Sequence, residues 1–411
     1  MTPSSEGSQG LPHWLRRHRV VVSVAAAVVV LGIALVVLVR GGGPDPSGDG
    51  GGRDGTTLPA ERDPGPYDSA ESIQEAVASA RPGDDLVLTA GTYELALDIE
   101  GVSGEAGRPI RLRAEPGAEV RIVGEPETYA LYMHDAAHWE IGSDDGALIF
   151  DGNGRTNATV GLGIYSGSAE RSSNPDPAPV HDVTLRNVRI VDSGMTLVRI
   201  GLSSTDVRIL DSHLSGSGNR RADFGEGIYI GSAAGEDRPD GIEVRNVVVE
   251  DVRAEAVDVK DGTRSVVLEG VTLRQVRLES TETNNKCAIA HRGSEPLVVR
   301  DTVIHDVRTG DDVEVELNVP CGIYVVGPIR VVRTEIRATE AEAVWVNNDE
   351  QDAEVSITDS TFVDNGGNPD GIKHESSLDV AWNLSGNRLG AVSATVPVEA
   401  SPSVTVAPST G

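Results

Sequence analysis

Between residues 183 and 362 the same short apolar pattern returns at regular intervals, and this repetition restricts the fold more than any other feature. Each copy has an apolar residue, a second two positions later and a third seven positions after the first, often with Arg-Asn or Asp in between. The copies start at Val183, Val207, Ile242, Val266, Leu297, Ile329 and Val355. Their spacings are 24, 35, 24, 31, 32 and 26 residues. The shortest match one turn of a parallel β-helix, so we expect an all-β solenoid of stacked coils.

The core of such a solenoid has to be aliphatic. The 411-residue chain contains only three phenylalanines, so Val, Ile and Leu must fill the coils. A β-propeller is the alternative repeat architecture, but its blades need about 40 residues and antiparallel turns. We therefore expect a parallel β-helix of roughly ten coils over residues 67–390.

A second set of similar segments marks one strand in each coil. They are EGIYIGS from Glu226, EAVDVKDG from Glu255, CAIAHRG from Cys287, CGIYVVG from Cys321, EAVWVNN from Glu342 and DGIKHES from Asp370. Alternate residues of a strand face the same side. Stacking these segments therefore predicts one buried ladder, which consists of Ile228, Val257, Ile289, Ile323 and Val344.

The stacked segments also form columns of equivalent side chains. The first column contains Leu162, Thr196, Glu226, Glu255, Cys287, Cys321, Glu342 and Asp370. Three positions later, a column that is expected to face solvent contains Tyr165, Arg199, Tyr229, Asp258, Ala290, Tyr324, Trp345 and Lys373. Sugar rings stack on aromatic faces, so Tyr229, Tyr324 and Trp345 are candidate substrate-binding residues, together with Arg199 of the same column. Packing between strands is the alternative role for these aromatic side chains.

Charged residues suited to chemistry concentrate on three of the coils. Lys260, one of only three lysines, falls beside Arg292 on the next coil, and Glu226 falls beside Glu255. Asp258 shares a face with Lys260, whereas Glu255 is out of phase and reaches this group only if the chain bends after it. The simpler alternative is a surface ladder of ion pairs that contributes little to stability.

His291 precedes Arg292 and lies on the inward phase of its strand. His291 is a candidate proton-transfer residue because it is adjacent to Arg292 in the sequence. A satisfied histidine in the core is the alternative.

Residues 20–39 are nearly all Val, Ala, Leu and Ile, a run long enough to span a bilayer as a helix. Three arginines precede the run and one follows it, which places residues 1–19 in the cytoplasm. A cleaved signal peptide is the alternative, but it usually has a shorter apolar run and an A-x-A-like site. We expect a single-pass signal anchor in the cell membrane, with the C-terminal domain extracytoplasmic.

Composition gives the remaining boundaries. Residues 40–66 are a flexible linker rich in Gly, Pro and Asp, and residues 391–411 are a disordered or loosely docked tail. A short helix is predicted to open at Asp68, with Glu71 completing a capping box. Its apolar face is Ile73, Ala76, Val77 and Ala80. Such a helix would cover the open end of the stack, which otherwise exposes unpaired strand edges.

Charge and cysteine content limit the partners and the compartment. The net charge of −29 argues against nucleic acid as a partner. Cys287 and Cys321 occupy equivalent places on neighbouring coils, and neighbouring strands are about 4.8 Å apart, close to the Cα separation of a disulfide. A bridge and two packed thiols are equally compatible with this spacing.

The N-terminal segments PGDDLVLTAGTY and RPIRLRAEPGAEVRIVG, together with the E-x-x-x-x-K strand at residues 255–260, resemble polysaccharide lyases of the alginate lyase and chondroitinase B group. The resemblance covers residues 67–390 and implies a right-handed parallel β-helix. It also implies cleavage of a uronate-containing polysaccharide by β-elimination, with Ca²⁺ on the uronate carboxylate.

Carried over by position, the resemblance implies that Lys260 is the base and that Arg292 is the acid or its helper. It implies that Glu226 and Glu255 bind calcium. Asp258 joins these candidate ligands because its charge would hold Lys260 protonated unless a cation occupied it. The chain is expected to act as a monomer on a polysaccharide.

Two other functions fit the same sequence. A non-catalytic surface β-helix that binds glycans or cell-wall polymer needs no base. A glycoside hydrolase needs two well-placed carboxylates, which Glu226, Glu255 and Asp258 could supply, but the chain lacks the Gly-His-Gly strand of pectin hydrolases.

Overall fold

A computed structural model describes residues 65–126, 128–156, 160–165, 178–232, 237–281, 287–311, 313, 318–348, 352–375, 378–393, 395–397 and 405–406. All of them belong to one compact unit, Arg62–Gly411. Within these ranges no helix is both long enough and apolar enough to cross a membrane. The predicted anchor at residues 20–39 lies outside the described residues, as do the N-terminal segment and nearly all of the linker.

The described chain begins with a short helix, α1 (Ala70–Ala78). Its N-cap is Ser69, whose side chain accepts a hydrogen bond from the Ser72 backbone N–H. The Ser72 hydroxyl in turn accepts one from the Ser69 backbone N–H. The capping box is therefore one residue later than the predicted Asp68–Glu71 pair, because the hydroxyl groups of Ser69 and Ser72 each accept from the other residue's backbone N–H. Three of the four residues of the predicted apolar face, Ile73, Ala76 and Val77, are buried, and Ala80 lies beyond the end of the helix and is half-buried.

Helix α1 packs on the first coil as expected. The Gln74 amide group donates to the Asp98 carbonyl at 2.9 Å and accepts from the Asp98 backbone at 3.1 Å. Asp98 belongs to a strand at the open edge of its sheet. The helix therefore satisfies edge groups that another chain could otherwise pair with.

Three parallel sheets and one 3₁₀ helix, Ala222–Phe224, form the other regular structure of the described chain. Sheet A contains β1 (Asp85–Leu88), β4 (Ile110–Ala114), β7 (Ala137–Gly142), β10 (His181–Arg186), β13 (Thr205–Leu210), β16 (Asp240–Arg245), β19 (Arg264–Glu269), β22 (Leu297–Arg300), β25 (Ile329–Val332), β28 (Ala353–Thr358) and β31 (Val380–Ser385).

Sheet B contains β2 (Gly91–Glu94), β5 (Glu119–Val123), β8 (Ala147–Asp151), β11 (Val188–Val191), β14 (His213–Ser215), β17 (Val248–Val252), β20 (Thr272–Leu278), β23 (Val303–Thr309), β26 (Glu335–Thr339), β29 (Thr361–Phe362), β32 (Arg388–Leu389) and β33 (Thr405–Val406). Sheet C contains β3 (Leu97–Glu100), β6 (Leu131–His134), β9 (Leu162–Tyr165), β12 (Val198–Gly201), β15 (Ile228–Ile230), β18 (Val257–Val259), β21 (Ile289–His291), β24 (Ile323–Val325), β27 (Val344–Val346) and β30 (Ile372–His374).

Ten successive coils, β1 to β30, each contribute one strand to each sheet, and β31 to β33 extend sheets A and B. This is the architecture of a parallel β-helix and confirms the predicted fold class. The predicted repeats stack in register: Val183 pairs with Val207, Ile242 with Val266, and Leu297 with Ile329. Parallel connections of this kind are right-handed in about 98% of cases, which agrees with the expected hand.

The corner between sheets A and B explains the Arg-Asn and Asp residues of the repeat. Asn187, Asp211, Asn246, Asp301 and Asp359 each follow a sheet A strand and have φ between 50° and 54°. Asn and Asp tolerate this left-handed conformation better than most side chains. The bend turns the chain directly into the next strand of sheet B.

The predicted inward ladder is confirmed. Each of its members is fully buried, and the strands that carry them pair directly. The ladder consists of Ile228, Val257, Ile289, Ile323 and Val344. This burial of aliphatic side chains on neighbouring coils supplies most of the driving force for stacking.

One predicted register is wrong by two residues. Leu162 pairs with Val198 and Gly163 with Arg199, whereas the predicted columns place Leu162 beside Thr196 and Tyr165 beside Arg199. A shift of two preserves which side chains face inward, so the sequence pattern alone could not reveal it.

Part of the predicted tail also docks: Val396 is buried, and Thr405–Val406 extends sheet B.

Candidate active site

Sheet C brings three acidic side chains together on neighbouring coils. Glu226 and Glu255 each precede a strand of this sheet at equivalent positions, and the Gly227 amide donates to the Glu255 carbonyl at 3.0 Å. Asp258 lies in the middle of β18. One carboxylate oxygen from each acid lies within 4.8 Å of the others. The predicted convergence, including the bend that brings Glu255 into the group, is therefore found in the structure.

The cluster is buried, which the sequence did not predict for its central member. Asp258 was expected to face solvent, but only 1% of the residue is exposed. Its strand neighbours on this face are Tyr229 and Ala290. The Lys260 and Arg292 side chains both pair with it. These contacts take the place of water around the carboxylate.

Asp258 is the meeting point of both predicted catalytic cations. The Lys260 ammonium pairs with Oδ2 of Asp258, and Nη1 of Arg292 donates to Oδ1 at 2.9 Å. Both cations keep some access to solvent, with 16% of the Lys260 side chain and 25% of the Arg292 side chain exposed. A ligand at the surface could therefore reach the cations more easily than the carboxylate.

Burial changes the protonation of the two glutamates. It raises the pKa of Glu226 to about 7, and the nearby Asp258 carboxylate adds to the effect, although the Thr196 hydroxyl donates to Glu226 at 2.7 Å and opposes it. Burial also raises the pKa of Glu255 to about 8, again with Asp258 adding to the rise. At neutral pH the metal-free cluster therefore binds protons that separate carboxylates would release.

The pKa of Lys260 is shifted in the opposite sense from that of an active base. Burial lowers the pKa of Lys260, but Asp258, together with Tyr229 and Glu255, outweighs burial and raises it overall. Arg292 lowers the pKa of Lys260. The ammonium is thus protonated while Asp258 is its counter-ion, and removal of that negative charge would favour the free amine.

Tyr229 lies beside two cations. The Lys260 ammonium is 4.9 Å and the Arg199 guanidinium 5.3 Å from the centre of its ring. Burial raises the pKa of the Tyr229 phenol, so it stays protonated at neutral pH. Arg199 and Tyr229 are half-buried, and they remain candidates for contact with a ligand.

Tyr324 and Trp345 are placed differently from the expected exposed aromatic stripe. They face outward from sheet C, but only 7% and 9% of them are exposed. Their rings meet edge to face at 5.2 Å and pack in a small cluster with Cys287 and Cys321. The packing alternative therefore describes them better than stacking on a sugar. The Tyr165 side chain lies outside the described atoms.

The two cysteines form a disulfide between neighbouring coils, with their Cα atoms 4.1 Å apart. This resolves the choice between a bridge and packed thiols in favour of the bridge. It lies directly beyond the carboxylate cluster, at the positions equivalent to Glu226 and Glu255.

His291 lies apart from the cluster. It occupies the inward phase of β21, pairs in register with Val259 and Val325, and is 1% exposed. Its Nε2 donates to the Pro328 carbonyl at 2.8 Å. Burial lowers the pKa of His291 to about 4, so the ring is neutral and turned away from Lys260. The alternative of a satisfied core histidine fits this position.

Sequence reasoning did not single out a second acid–lysine group on the same sheet. Glu342 stands at the position equivalent to Glu255, is 4% exposed, and lies 3.7 Å from the Lys373 ammonium. That ammonium is 4.6 Å from the centre of the Trp345 ring. The equivalent columns contained this signal, because Lys373 falls in the Asp258 column. This group has one buried acid instead of three.

The three-acid cluster fits a hard divalent cation. Oxygens bound to one Ca²⁺ lie no more than about 5 Å apart, since each bond is 2.3–2.6 Å long, and the cluster meets this limit. The raised pKa values of Glu226 and Glu255 show that additional positive charge is favoured there. Glu226, Glu255 and Asp258 would hold the ion.

Neither a protein-family model nor a curated protein matches the chain. Solved structures do share its fold. An alginate lyase from Paenibacillus sp. str. FPU-7 has a TM-score of 0.55 and 21% identity, over 77% of this chain and 98% of that one. ORF18 of Geobacillus virus E2 has a TM-score of 0.52 and 12% identity, over 78% of this chain and 59% of that one.

A PL6 family polysaccharide lyase from Pseudopedobacter saltans is also similar, with a TM-score of 0.48 and 12% identity, over 83% of this chain and 92% of the lyase. The alginate lyase of Paenibacillus, with a TM-score above 0.5, is thus a polysaccharide lyase among the solved structures that share this fold. The fold implied by the sequence resemblance is confirmed, and at these identities the likeness concerns the fold.

Proposed function

We propose that this chain cleaves a uronate-containing polysaccharide by cation-assisted β-elimination. One observation carries the proposal. Lys260 and Arg292 both pair with Asp258, and the oxygens of Asp258, Glu226 and Glu255 lie within 4.8 Å of one another. A base, a second cation and a potential calcium site thus occur together on neighbouring coils.

The difficult step in such a reaction is removal of the proton on the carbon next to a carboxylate, because negative charge then builds on that carboxylate. A Ca²⁺ ion bound to the three acids would neutralise this charge. The acids themselves must release the protons that they hold at neutral pH, since cation ligands bind as carboxylates.

Lys260 becomes a base only when Asp258 is engaged elsewhere. In the metal-free cluster Asp258 holds the Lys260 ammonium protonated, in agreement with the raised pKa of Lys260. Once a cation neutralises Asp258 and Glu255, burial and Arg292 still lower the pKa of Lys260, and Tyr229 is the one named neighbour that still raises it. The same ligand set that stabilises the substrate carboxylate would therefore activate the base.

The elimination balances with the groups present. The proton next to the carboxylate passes to the Lys260 amine, and its electron pair forms a carbon–carbon double bond. The bond from the adjacent carbon to the glycosidic oxygen breaks, and the departing oxygen takes a proton from water. The hydroxide left behind accepts the proton held by the Lys260 ammonium, which restores the amine. Arg292, whose guanidinium does not give up a proton, stabilises the negative charge on that oxygen.

The location forms part of the proposal. A disulfide is typical of proteins outside the reducing cytoplasm, which supports an extracytoplasmic domain behind the apolar run at residues 20–39. Full-length protein should then sediment with membranes and be released by protease treatment of intact cells. Complete protection from the protease would contradict this topology.

A non-catalytic glycan-binding protein is the second candidate. It is favoured by the closed ion-pair arrangement, in which Asp258 is buried and Lys260 is protonated. A binding protein would use Arg199 and the exposed parts of Lys260 and Arg292 as contacts for an acidic polymer. The two candidates differ in whether an unsaturated sugar is formed.

The deciding experiment measures ultraviolet absorbance from new unsaturated uronates, on alginate, polygalacturonate and dermatan sulfate, with Ca²⁺ or with chelator. We expect calcium-dependent product on one class of polymer. Lys260→Ala should lower the rate at least about 100-fold, the usual effect of losing a general base. Lys260→Arg should not restore it, because arginine does not deprotonate.

Lys373→Ala is the matched control, since Lys373 also lies over an aromatic ring and beside a buried glutamate of sheet C. It should keep the wild-type rate. Activity retained by Lys260→Ala would show that the site is wrongly assigned. Calcium-independent binding without any product would favour the glycan-binding alternative.

A further inference from the structure

We propose that His138, His181 and Asp182 form a binding site for a first-row transition-metal ion such as Zn²⁺. These residues lie on sheet A, outside the carboxylate cluster of sheet C. One potential ligand atom from each lies within 4.8 Å of the others. All three are half-buried, so an ion could reach them from solvent.

The strand geometry holds the three side chains together. His181 pairs with Ala137 and Val183 with Trp139, so Asp182 lies opposite His138. Both residues have left-handed backbones, with φ of 53° and 56°. The strands pair one to one through these residues, so the left-handed backbone is a local distortion without an inserted residue, and it redirects the side chains at both positions. The same distortion on two neighbouring coils brings the three side chains to one place.

The distances between the side chains are close to those of a zinc site. Nδ1 of His138 is 3.6 Å and Nδ1 of His181 2.9 Å from Oδ2 of Asp182. With zinc–ligand bonds of 2.0–2.2 Å, two ligands of a tetrahedral ion lie about 3.4 Å apart. One pair thus has nearly this spacing, and the other needs to open by about 0.5 Å. The imidazole rings meet edge to face at 5.1 Å.

The donor set selects a different ion from that of the carboxylate cluster. Two imidazole nitrogens and one carboxylate oxygen suit Zn²⁺, Co²⁺, Ni²⁺ or Cu²⁺, whereas Ca²⁺ prefers oxygen ligands alone. Three protein ligands also leave a fourth position for water. The proposed site is therefore independent of the polysaccharide reaction, and either proposal can fail without the other.

The position in the chain indicates what the ion would do. Trp139 and Val183 bracket the longest connection between paired strands of sheet A. Links that close long loops remove the most chain entropy from the unfolded state. A metal ion held by His138 from one end of this coil, and by His181 and Asp182 from the other, would clip the coil shut and bind only the folded chain.

The test is isothermal titration of the full-length protein with zinc chloride, in excess Ca²⁺ so that the carboxylate cluster is occupied. We expect Zn²⁺ binding of which one equivalent depends on His181, and a higher unfolding temperature; Asp98, Glu100 and His134 form a separate group of potential ligands that the His181 variant leaves intact. Replacing Zn²⁺ by Co²⁺ should give the visible absorption of a tetrahedral site. His181→Asn should weaken binding by more than about 100-fold, because even outer-shell changes cost 10- to 100-fold.

His213→Asn is the matched control. His213 also pairs with a carboxylate, Glu250 at 2.8 Å, but it belongs to no group of three potential ligands among the described residues. This variant should bind Zn²⁺ as the wild type does. If His181→Asn fails to fold, as judged by circular dichroism, Asp182→Asn takes its place in the Co²⁺ measurement. Unchanged affinity in the folded variant, or no zinc binding by the wild type, would overturn the proposal.

Discussion

Arg292 donates a hydrogen bond of 2.9 Å to Asp258 on the adjacent coil, to which it is diagonally placed. Asp258 pairs in register with Ala290, two residues before Arg292, so the guanidinium reaches back along the strand to the carboxylate. Small Ala290 directly opposite leaves room for this path. Asp258 can therefore hold Arg292 and Lys260 at once, one on each oxygen.

Asp258→Asn should destabilise the protein by about 3 kcal/mol, the usual cost of removing one partner from a buried ion pair. Two largely buried cations would lose their counter-ion. The measurement is urea unfolding in the presence of a chelator. Asp301→Asn, which breaks the exposed pair with Arg333, should leave the midpoint nearly unchanged. Equal effects of the two changes would contradict the account of Asp258.

The metal-free protein should lose stability as the pH rises through about 7 and 8. The pKa values of Glu226 and Glu255 are raised from 4.5 to these values, so the folded state binds their protons more tightly than the unfolded state. That contribution is complete below the unfolded pKa and disappears as the folded carboxyls ionise. The measurement is a series of thermal unfolding curves in chelator.

The double change Glu226→Gln and Glu255→Gln should flatten this pH dependence, because the amides have no proton to lose. Added Ca²⁺ should also flatten it in the wild type and should release protons on binding. A wild-type slope that survives in the double variant would assign the effect to other groups.

Ile289→Ala should cost about 2–4 kcal/mol, because it removes buried methyl groups from the inward ladder and leaves a cavity. Ile289 is fully buried between Val257 and Ile323. Val298→Ala, on the half-buried outward face of β22, is the control and should cost clearly less. Urea unfolding measures both; a larger loss at Val298 would mean that the inward and outward faces are misassigned.

Changing both Cys287 and Cys321 to Ala should lower the free energy of unfolding by about 4 kcal/mol, since the disulfide closes a loop of 34 residues. The check is unfolding with and without reductant. Reductant should destabilise the wild type and have no effect on the double variant. If the fully reduced wild type had the same free energy of unfolding as the oxidised protein, the bridge would add no stability.

Most of the fold could be predicted because each coil buries the same columns. The spacing of Val183, Val207 and later copies gave the coils their register, and the equivalent segments placed Lys260 near Arg292. Such columns report which side of a strand is inward. They do not report whether a strand has slipped by two residues, because such a slip leaves the same side chains inward. This is why the register of β9 was predicted wrongly.

The prediction of an exposed outward face failed for a different reason. Outward side chains can be buried by one another, as Tyr324 and Trp345 are beside the disulfide, and Asp258 is beneath its two cations. The His138 group was missed because its ligands are far apart in the chain and precede the clearest repeats. The His181-Asp182 pair directly before Val183 was the available signal.

The left-handed corner that follows the sheet A strands from β10 onward also bears on how such a chain can change over evolutionary time. Asn187, Asp211 and Asn246 make the same bend on successive coils, so these coils pass from sheet A to sheet B in the same way. Duplication or loss of one whole coil would therefore preserve the alignment of everything on either side. The length of the molecule can vary by whole coils while the few coils that hold Asp258 and its partners stay unaltered.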